Sequence, residues 1–217
     1  VGWGGNIGDL ALSSNGNSLF TCISVTGNAV FLSGDSALQY QVSTNGAVAI
    51  NGVKNRVYGS SAVQSALTSL IQQPRTQTLE NEYNRITARS IDAQKVLAGA
   101  LAGTPNFDAL LPDKDAASGQ KRALNRQLKM VARLIAAGRG MGIKRQVFMV
   151  SLGGFDTHDN LMERHPGLLQ QVGDAMAGFQ RSIDSMGMGA GVTTFTASDF
   201  GRTLSSNGDG SDHGWGA

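Results

Sequence analysis

With 217 residues, 41% of them hydrophobic, the chain is long enough for one domain with a sizeable core and a small appendage. Lys and Arg number 18 against 16 Asp and Glu, and the resulting net charge of +2 singles out no particular partner. The one cysteine, Cys22, excludes an internal disulfide and any Cys-rich zinc motif, and no apolar run approaches the ~20 residues that span a bilayer.

The opening residues do not form a signal peptide, so the chain reads as soluble, with any targeting segment already removed. Composition shifts near residue 58. Before it, charge is sparse and Gly, Ser, Asn and Thr are abundant, with short β-branched or aromatic runs at 19–25, 29–32, 38–42 and 47–50. Thr26-Gly27-Asn28 and Thr44-Asn45-Gly46 lie between runs, where tolerance of positive φ lets a hairpin turn form. Residues 1–57 are therefore expected to be a small antiparallel β region packed on a main α/β domain over 58–217.

Helices follow at 62–72, closed by Pro74, and at 76–101, with Leu79, Tyr83, Ile86, Val96, Leu97 and Leu101 mostly along one face. After a Pro-containing linker over 103–118, a helix at 119–137 sets Leu124, Leu128, Val131 and Ile135 opposite Arg122, Arg126, Lys129 and Arg133, and Gly138 ends it. The basic row is read as a solvated face rather than a nucleic-acid surface, since aromatics for base stacking are few. The methionines fall mostly at apolar positions and are read as core filling. A compact apolar run at 146–152, an amphipathic helix at 166–186 with Pro166 in its first turn, and a second strand-like run at 192–197 then predict a right-handed βαβ crossover with parallel pairing.

Both strand-like runs end in polar motifs. Asp156-Thr157-His158-Asp159 follows the first, Ser198-Asp199-Phe200-Gly201-Arg202 follows the second, and Asp212-His213 lies in a Gly-rich loop beyond. In open α/β sheets ligands bind beyond the carboxyl ends of the strands, and carboxylates with imidazoles are the donors that divalent ions of intermediate hardness take. Asp156, His158, Asp199, Asp212 and His213 are the candidate metal ligands and Arg202 the candidate binder of an anionic substrate group. Each has a plainer reading. Asp156 and His158 would also serve as a turn cap, Asp199 as an ion-pair partner of Arg202, and Arg202 as a neutraliser of the acids around it. His165, just before Pro166, is read as a helix-start residue.

The strings GGFDTHDN, SDFGRT and DHGWG, in that order and with a helix between the first two, resemble the C-terminal half of a bacterial family called domain of unknown function 1501. That family is placed in the alkaline phosphatase and sulfatase superfamily and is often exported with a twin-arginine signal. The resemblance implies an alkaline-phosphatase-like three-layer α/β sandwich with a mostly parallel sheet, a divalent metal centre at the strand ends, and a periplasmic or extracellular location. Asp212 and His213 match the superfamily's adjacent Asp-His metal pair, and Asp156 with His158 resemble its other acid-histidine contribution, at a closer spacing. Asp199 stands where the family more often has Glu. The superfamily's opening strand with its nucleophile, and a last histidine after the Asp-His pair, are not visible in this sequence. The resemblance therefore implies a domain truncated at both ends, its sheet incomplete unless a separate fragment supplies the first strand. Two functions follow as expectations: an exported metal-dependent hydrolase of phosphate or sulfate esters, or a catalytically inactive binding or structural component of the cell envelope. The partners they imply are an anionic small molecule or glycan, or further copies of the chain, with no nucleic acid and no transmembrane segment.

Overall fold

The structure, a computed structural model, describes residues 2–215. They divide into two compact units, one running up to Thr104 and including Ala137–Met149, the other comprising Pro105–Ala136 and the residues from Val150 onward.

The first unit is organised around a short parallel sheet. Strands β1 (Cys22–Ser24), β2 (Gln39–Gln41) and β3 (Val147–Met149) lie in the order β2-β1-β3, with Ile23 opposite Tyr40 on one side and Phe148 on the other. All three residues of β1 are buried, the pattern of a strand covered on both faces rather than the alternation of a half-solvated hairpin. This corrects the antiparallel region expected over 1–57. Residues 25–38 are too many for a hairpin turn; they pass through a 3-10 turn at Val30–Leu32 and deliver β2 in the same direction as β1. Gly27, at φ 101°, starts that crossover instead of a hairpin.

Helix α1 (Trp3–Ala11) opens the stretch expected to be antiparallel β. Its glycines are poor helix formers, but Gly4, Gly5 and Gly8 are buried, and a Cβ at these positions would collide with the Phe31 ring, the Ser33 backbone and the Cys22 thiol respectively. Close approach is what the glycines provide. Asp9 then accepts the backbone N–H groups of Asp35, Ser36 and Ala37 at 2.8, 2.9 and 2.6 Å, fastening the helix to the segment before β2.

Helices α2 (Asn51–Lys54), α3 (Ser61–Gln72) and α4 (Thr78–Ala102) complete this unit. Ser60 and Gln77 cap α3 and α4 by accepting from the N–H groups of Val63 and Glu80. Buried Asn84 of α4 donates to the carbonyls of Leu70 and Gln73, satisfying the otherwise orphaned end of α3. In the C-terminal half of α4, Ile91, Ala93, Leu97 and Leu101 are buried.

The second unit holds most of α5 (Ala123–Gly138), all of α6 (Leu161–Ser185), and the antiparallel pair β4 (Gly201–Arg202) and β5 (His213–Gly214). The stripe Leu124, Leu128, Val131 and Ile135 is buried as its spacing predicts. On the basic face Arg122 is paired with Asp115 and Asp174, and Lys129 with Asp108 and Asp113. Gly178 lets α6 approach the Leu110 carbonyl and the Leu111 side chain.

Two further expectations are corrected. Helix α6 begins at Leu161, so Pro166 lies inside it rather than in its first turn; the start is fixed upstream, where Asp209 O accepts from Leu161 N at 3.1 Å. Residues 192–197 form no strand, and the predicted βαβ crossover does not form. That run is largely exposed and joins no ladder, and β-branched residues without a pairing neighbour have nothing to hold them as a strand. Among the described residues no helix is long and apolar enough to cross a membrane.

Two measurements check this fold. Ile23→Ala, at a fully buried position in the central strand, should cost about 2–5 kcal/mol in urea denaturation. Asp9 has its carboxyl held below the ordinary carboxylate range, first by the Ala37 amide and then by those of Asp35 and Ser36. A depressed pKa means stability that is present above the unfolded pKa and lost as pH falls through the folded one. Asp9→Asn should therefore melt below wild type at neutral pH, and the gap should close in acid; an equal gap at both would show that the carboxylate charge is not what the three amides hold.

Candidate metal centre

The site is built within the second unit from two loops and the β4–β5 pair. One loop, 150–160, carries Asp156 and His158; the other, 203–212, carries Asn207 and Asp212 and returns the chain along β4, where Arg202 pairs with His213 of β5. Few apolar contacts are available to such loops, and hydrogen bonds to backbone carbonyls do the positioning. The Arg202 guanidinium donates through Nη1 to the Ser211 carbonyl and through Nη2 to the Phe155 carbonyl at 2.5 Å and to Thr157 Oγ1 at 3.3 Å. Asn207 Nδ2 donates to the His158 carbonyl at 3.1 Å and to Asp212 Oδ1 at 3.2 Å. Thr203 N donates to the Asp212 carbonyl at 3.0 Å.

Gly210 closes the arrangement. It is buried, and a Cβ there would overlap the His158 carbonyl, so the two loops meet backbone to backbone at this point. Gly214 is similarly pressed against the Arg202 backbone. Asn207 and Gly210 form a turn of their own, with Gly210 N donating to Asn207 Oδ1 at 2.8 Å. The same turn presents the Asp209 carbonyl to the start of α6.

On this frame one carboxylate oxygen sits between two imidazoles. Asp156 Oδ1 is 3.0 Å from His158 Nε2 and 2.8 Å from His213 Nε2. On the far side of its ring, His158 Nδ1 is 3.0 Å from Asp212 Oδ1. The Phe200 ring stacks on His213 with centroids 3.9 Å apart and planes 22° apart, and the Arg202 guanidinium carbon lies 5.3 Å from the centre of the same ring. The Asp156 carboxyl is held below its ordinary range, chiefly by the hydrogen bond with His213. That of Asp212 is held down chiefly by His158, then by Asn207. Both are therefore ionised at neutral pH.

The donor set fits a divalent ion. One atom each from Asp156, His158 and His213 lie within 4.8 Å of one another, and all three side chains are exposed. Ligand atoms about 2.0–2.1 Å from a tetrahedral ion are ~3.3 Å apart, so the 2.8 and 3.0 Å separations need only a small opening to admit one. Asp212 is the carboxylate behind the ligand: with an ion at Nε2 of His158, it would accept the proton at Nδ1 and orient the ring. Three protein donors would leave a position for water or substrate, as catalytic sites do and closed structural sites do not.

Of the sequence candidates, Asp156, His158 and His213 converge, and Asp212 joins them one bond behind. Asp199 does not: it is exposed, and among the described residues no hydrogen bond or ion pair reaches it, Arg202 included. Arg202 faces the loops, with both terminal nitrogens engaged by protein oxygens. His165 lies in α6 and meets the Phe155 ring edge-on at 5.7 Å, apart from the cluster. Asn207, Gly210 and Phe200 are the participants that the sequence did not single out. Asn207-Gly208-Asp209-Gly210 reads as a turn from sequence, which it is, but nothing local shows that its amide reaches His158. Gly210→Ala should cost about 1–3 kcal/mol by forcing the loops apart, and ordered His158 and His213 imidazole resonances should broaden in its NMR spectrum; unchanged resonances would show that the close approach does not set the cluster.

No curated protein and no solved structure matches the chain. The pattern of the family described as "Protein of unknown function (DUF1501)" matches residues 26–217, a span that takes in α2 to α6 and every residue of the cluster, and the chain belongs to that family.

Proposed function

We propose that the chain is a metal-dependent hydrolase of phosphate or sulfate esters, acting outside the cytoplasm, with Asp156, His158 and His213 as the protein ligands of a divalent ion. The observation that supports it most is the Asp156 oxygen shared between two imidazole nitrogens in a cluster exposed to solvent. A divalent ion bound there supplies Lewis acidity toward an ester oxygen and activates water. The chain's own residues do the rest. Asp212 orients His158 through Nδ1, Phe200 fixes the plane of the His213 ring, and Arg202 holds the two loops at the spacing the three donors need. The anionic charge of Asp156 makes the cluster attractive to a cation, while the two imidazoles keep the site from being so acidic that it repels an anionic ester. The alkaline-phosphatase-like architecture expected from the family would place such a site beyond the strand ends, and it belongs to this proposal.

A second reading draws on Arg202. Its terminal nitrogens are committed to Ser211, Phe155 and Thr157, and the hydroxyls of Thr157, Thr203 and Ser211 bond backbone oxygens. On that basis the chain is a binding or structural component of the cell envelope that keeps the metal site without turnover.

Elemental mass spectrometry of the purified protein, with His213→Ala and Asp212→Asn beside it, tests the metal site. Stoichiometric metal should be found in wild type and lost from His213→Ala, and Asp212→Asn should weaken affinity by about 10–100-fold, as the loss of an orienting carboxylate does. Absence of metal after dialysis against zinc and manganese would defeat both readings of the cluster. Turnover of an aryl phosphate or aryl sulfate, abolished by His213→Ala, separates the hydrolase from the metal-holding binding protein.

A further inference from the structure

Helix α4 carries one apolar stripe along its length, and only half of it is covered. Ala93, Leu97 and Leu101 are 5, 0 and 5% exposed, whereas Leu79, Tyr83 and Ile86 are 76, 69 and 44% exposed. At about 100° per residue all six lie on one face, because the steps between them are four, three, seven, four and four. A three-and-four spacing is the seam by which one helix packs on another. The exposed half is bordered by an open cleft of about 600 Å³ lined by Arg75, Leu79, Glu80, Tyr83 and Asn84, which gives a side chain from a facing helix room to enter.

Charge along the seam says what faces it. Glu82 and Arg89 are seven residues apart, so they lie on the same flank of the stripe, about 10.5 Å apart along the axis, acidic toward the N-terminus and basic toward the C-terminus. Arg85 lies between them and bonds both Glu82 oxygens, through Nε and Nη2 at 2.8 Å each; the Arg89 side chain makes no hydrogen bond among the described residues, though its charge acts on Glu82. A parallel neighbour of the same sequence would bring like charges to the same level. An antiparallel one, related by a two-fold axis between Arg85 and Ile86, brings Glu82 of each helix to the level of Arg89 of the other, and sets the two Ile86 side chains at nearly the same level with a Tyr83 on either side. We propose that the exposed half of the α4 seam is a homodimer interface, in which a second copy of this chain lays its α4 antiparallel across Tyr83 and Ile86 with reciprocal Glu82–Arg89 pairs.

Sedimentation equilibrium of the full chain, between about 1 and 100 μM to span modest affinities, reads the association directly. Wild type should dimerise, and Tyr83→Glu should be monomeric, with circular dichroism unchanged because Tyr83 is exposed. Glu82→Arg and Arg89→Glu should each raise the dimer Kd roughly tenfold, and the double variant should return it to near the wild-type value. A wild-type chain that stays monomeric overturns the proposal and leaves the seam to a helix of another protein. So does a dimer that Tyr83→Glu leaves intact, or a double variant no tighter than the single ones, since an interface elsewhere or a different helix orientation would then be responsible.

Discussion

Arg202 is the constraint on which the second unit's chemistry depends. Two loops rich in Gly, Ser, Asp and Asn meet at the protein surface, and neither buries enough apolar area to fix its own path. One guanidinium reaches the Phe155 carbonyl and Thr157 hydroxyl of the first loop and the Ser211 carbonyl of the second, so the residues that flank Asp156 and those that precede Asp212 share a single planar donor. A lysine would offer a charge of the same sign without the fork that spans two carbonyls. The ladder between β4 and β5 then carries the consequence one residue further, because Arg202 and His213 are cross-strand partners. Where the guanidinium sits determines where His213 sits.

The geometry of the cluster follows from this economy. Asp156 faces two imidazoles with one oxygen, and Asp212 holds the more central of them from behind. Hydrogen bonds between the prospective ligands keep them within reach of one another without a cation, so binding one would require exchange of contacts rather than collapse of a disordered loop. The cost is exposure. Groups so open to water gain little stability from their mutual contacts, and their arrangement owes more to Arg202, Asn207 and Gly210 than to their own attraction.

What the sequence revealed divides along physical lines. The stripe of α5 and the extent of α4 were legible because each rests on periodicity that burial along part of one face reinforces, and the end of α3 because Pro74 follows it. The acid-histidine residues were legible because their residue types have few other uses in a Gly-rich loop, and the structure brings Asp156, His158 and His213 together. Helix α1 was not, since Gly4, Gly5 and Gly8 argue against a helix until Phe31, Ser33 and Cys22 are in place around them. The direction of β2 was not, because a Gly-containing turn is compatible with both a hairpin and the start of a crossover, and only the pairing with β1 distinguishes them. Residues 192–197 have the composition of a strand, but a strand is a property of two segments, and one sequence window cannot show whether the second exists. Asp199 illustrates the same limit in a site: type and neighbourhood suggest a ligand, but it is not among the three donors that the structure groups.

The α4 helix shows how one pattern serves two ends. From Ala93 onward its apolar stripe is core, and from Leu79 to Ile86 the same stripe meets solvent. Had the exposed half been merely an extension of the helix, selection for solubility would favour polar residues there, as the uncovered positions Glu82, Arg85 and Arg89 on its flank already are. Asn84 makes the extension more than incidental, since by donating to the carbonyls of Leu70 and Gln73 it ties the end of α3 to the same stretch of α4. An apolar face on a helix already fastened to its neighbour is suited to association, because less conformational entropy is lost when a facing helix settles on it.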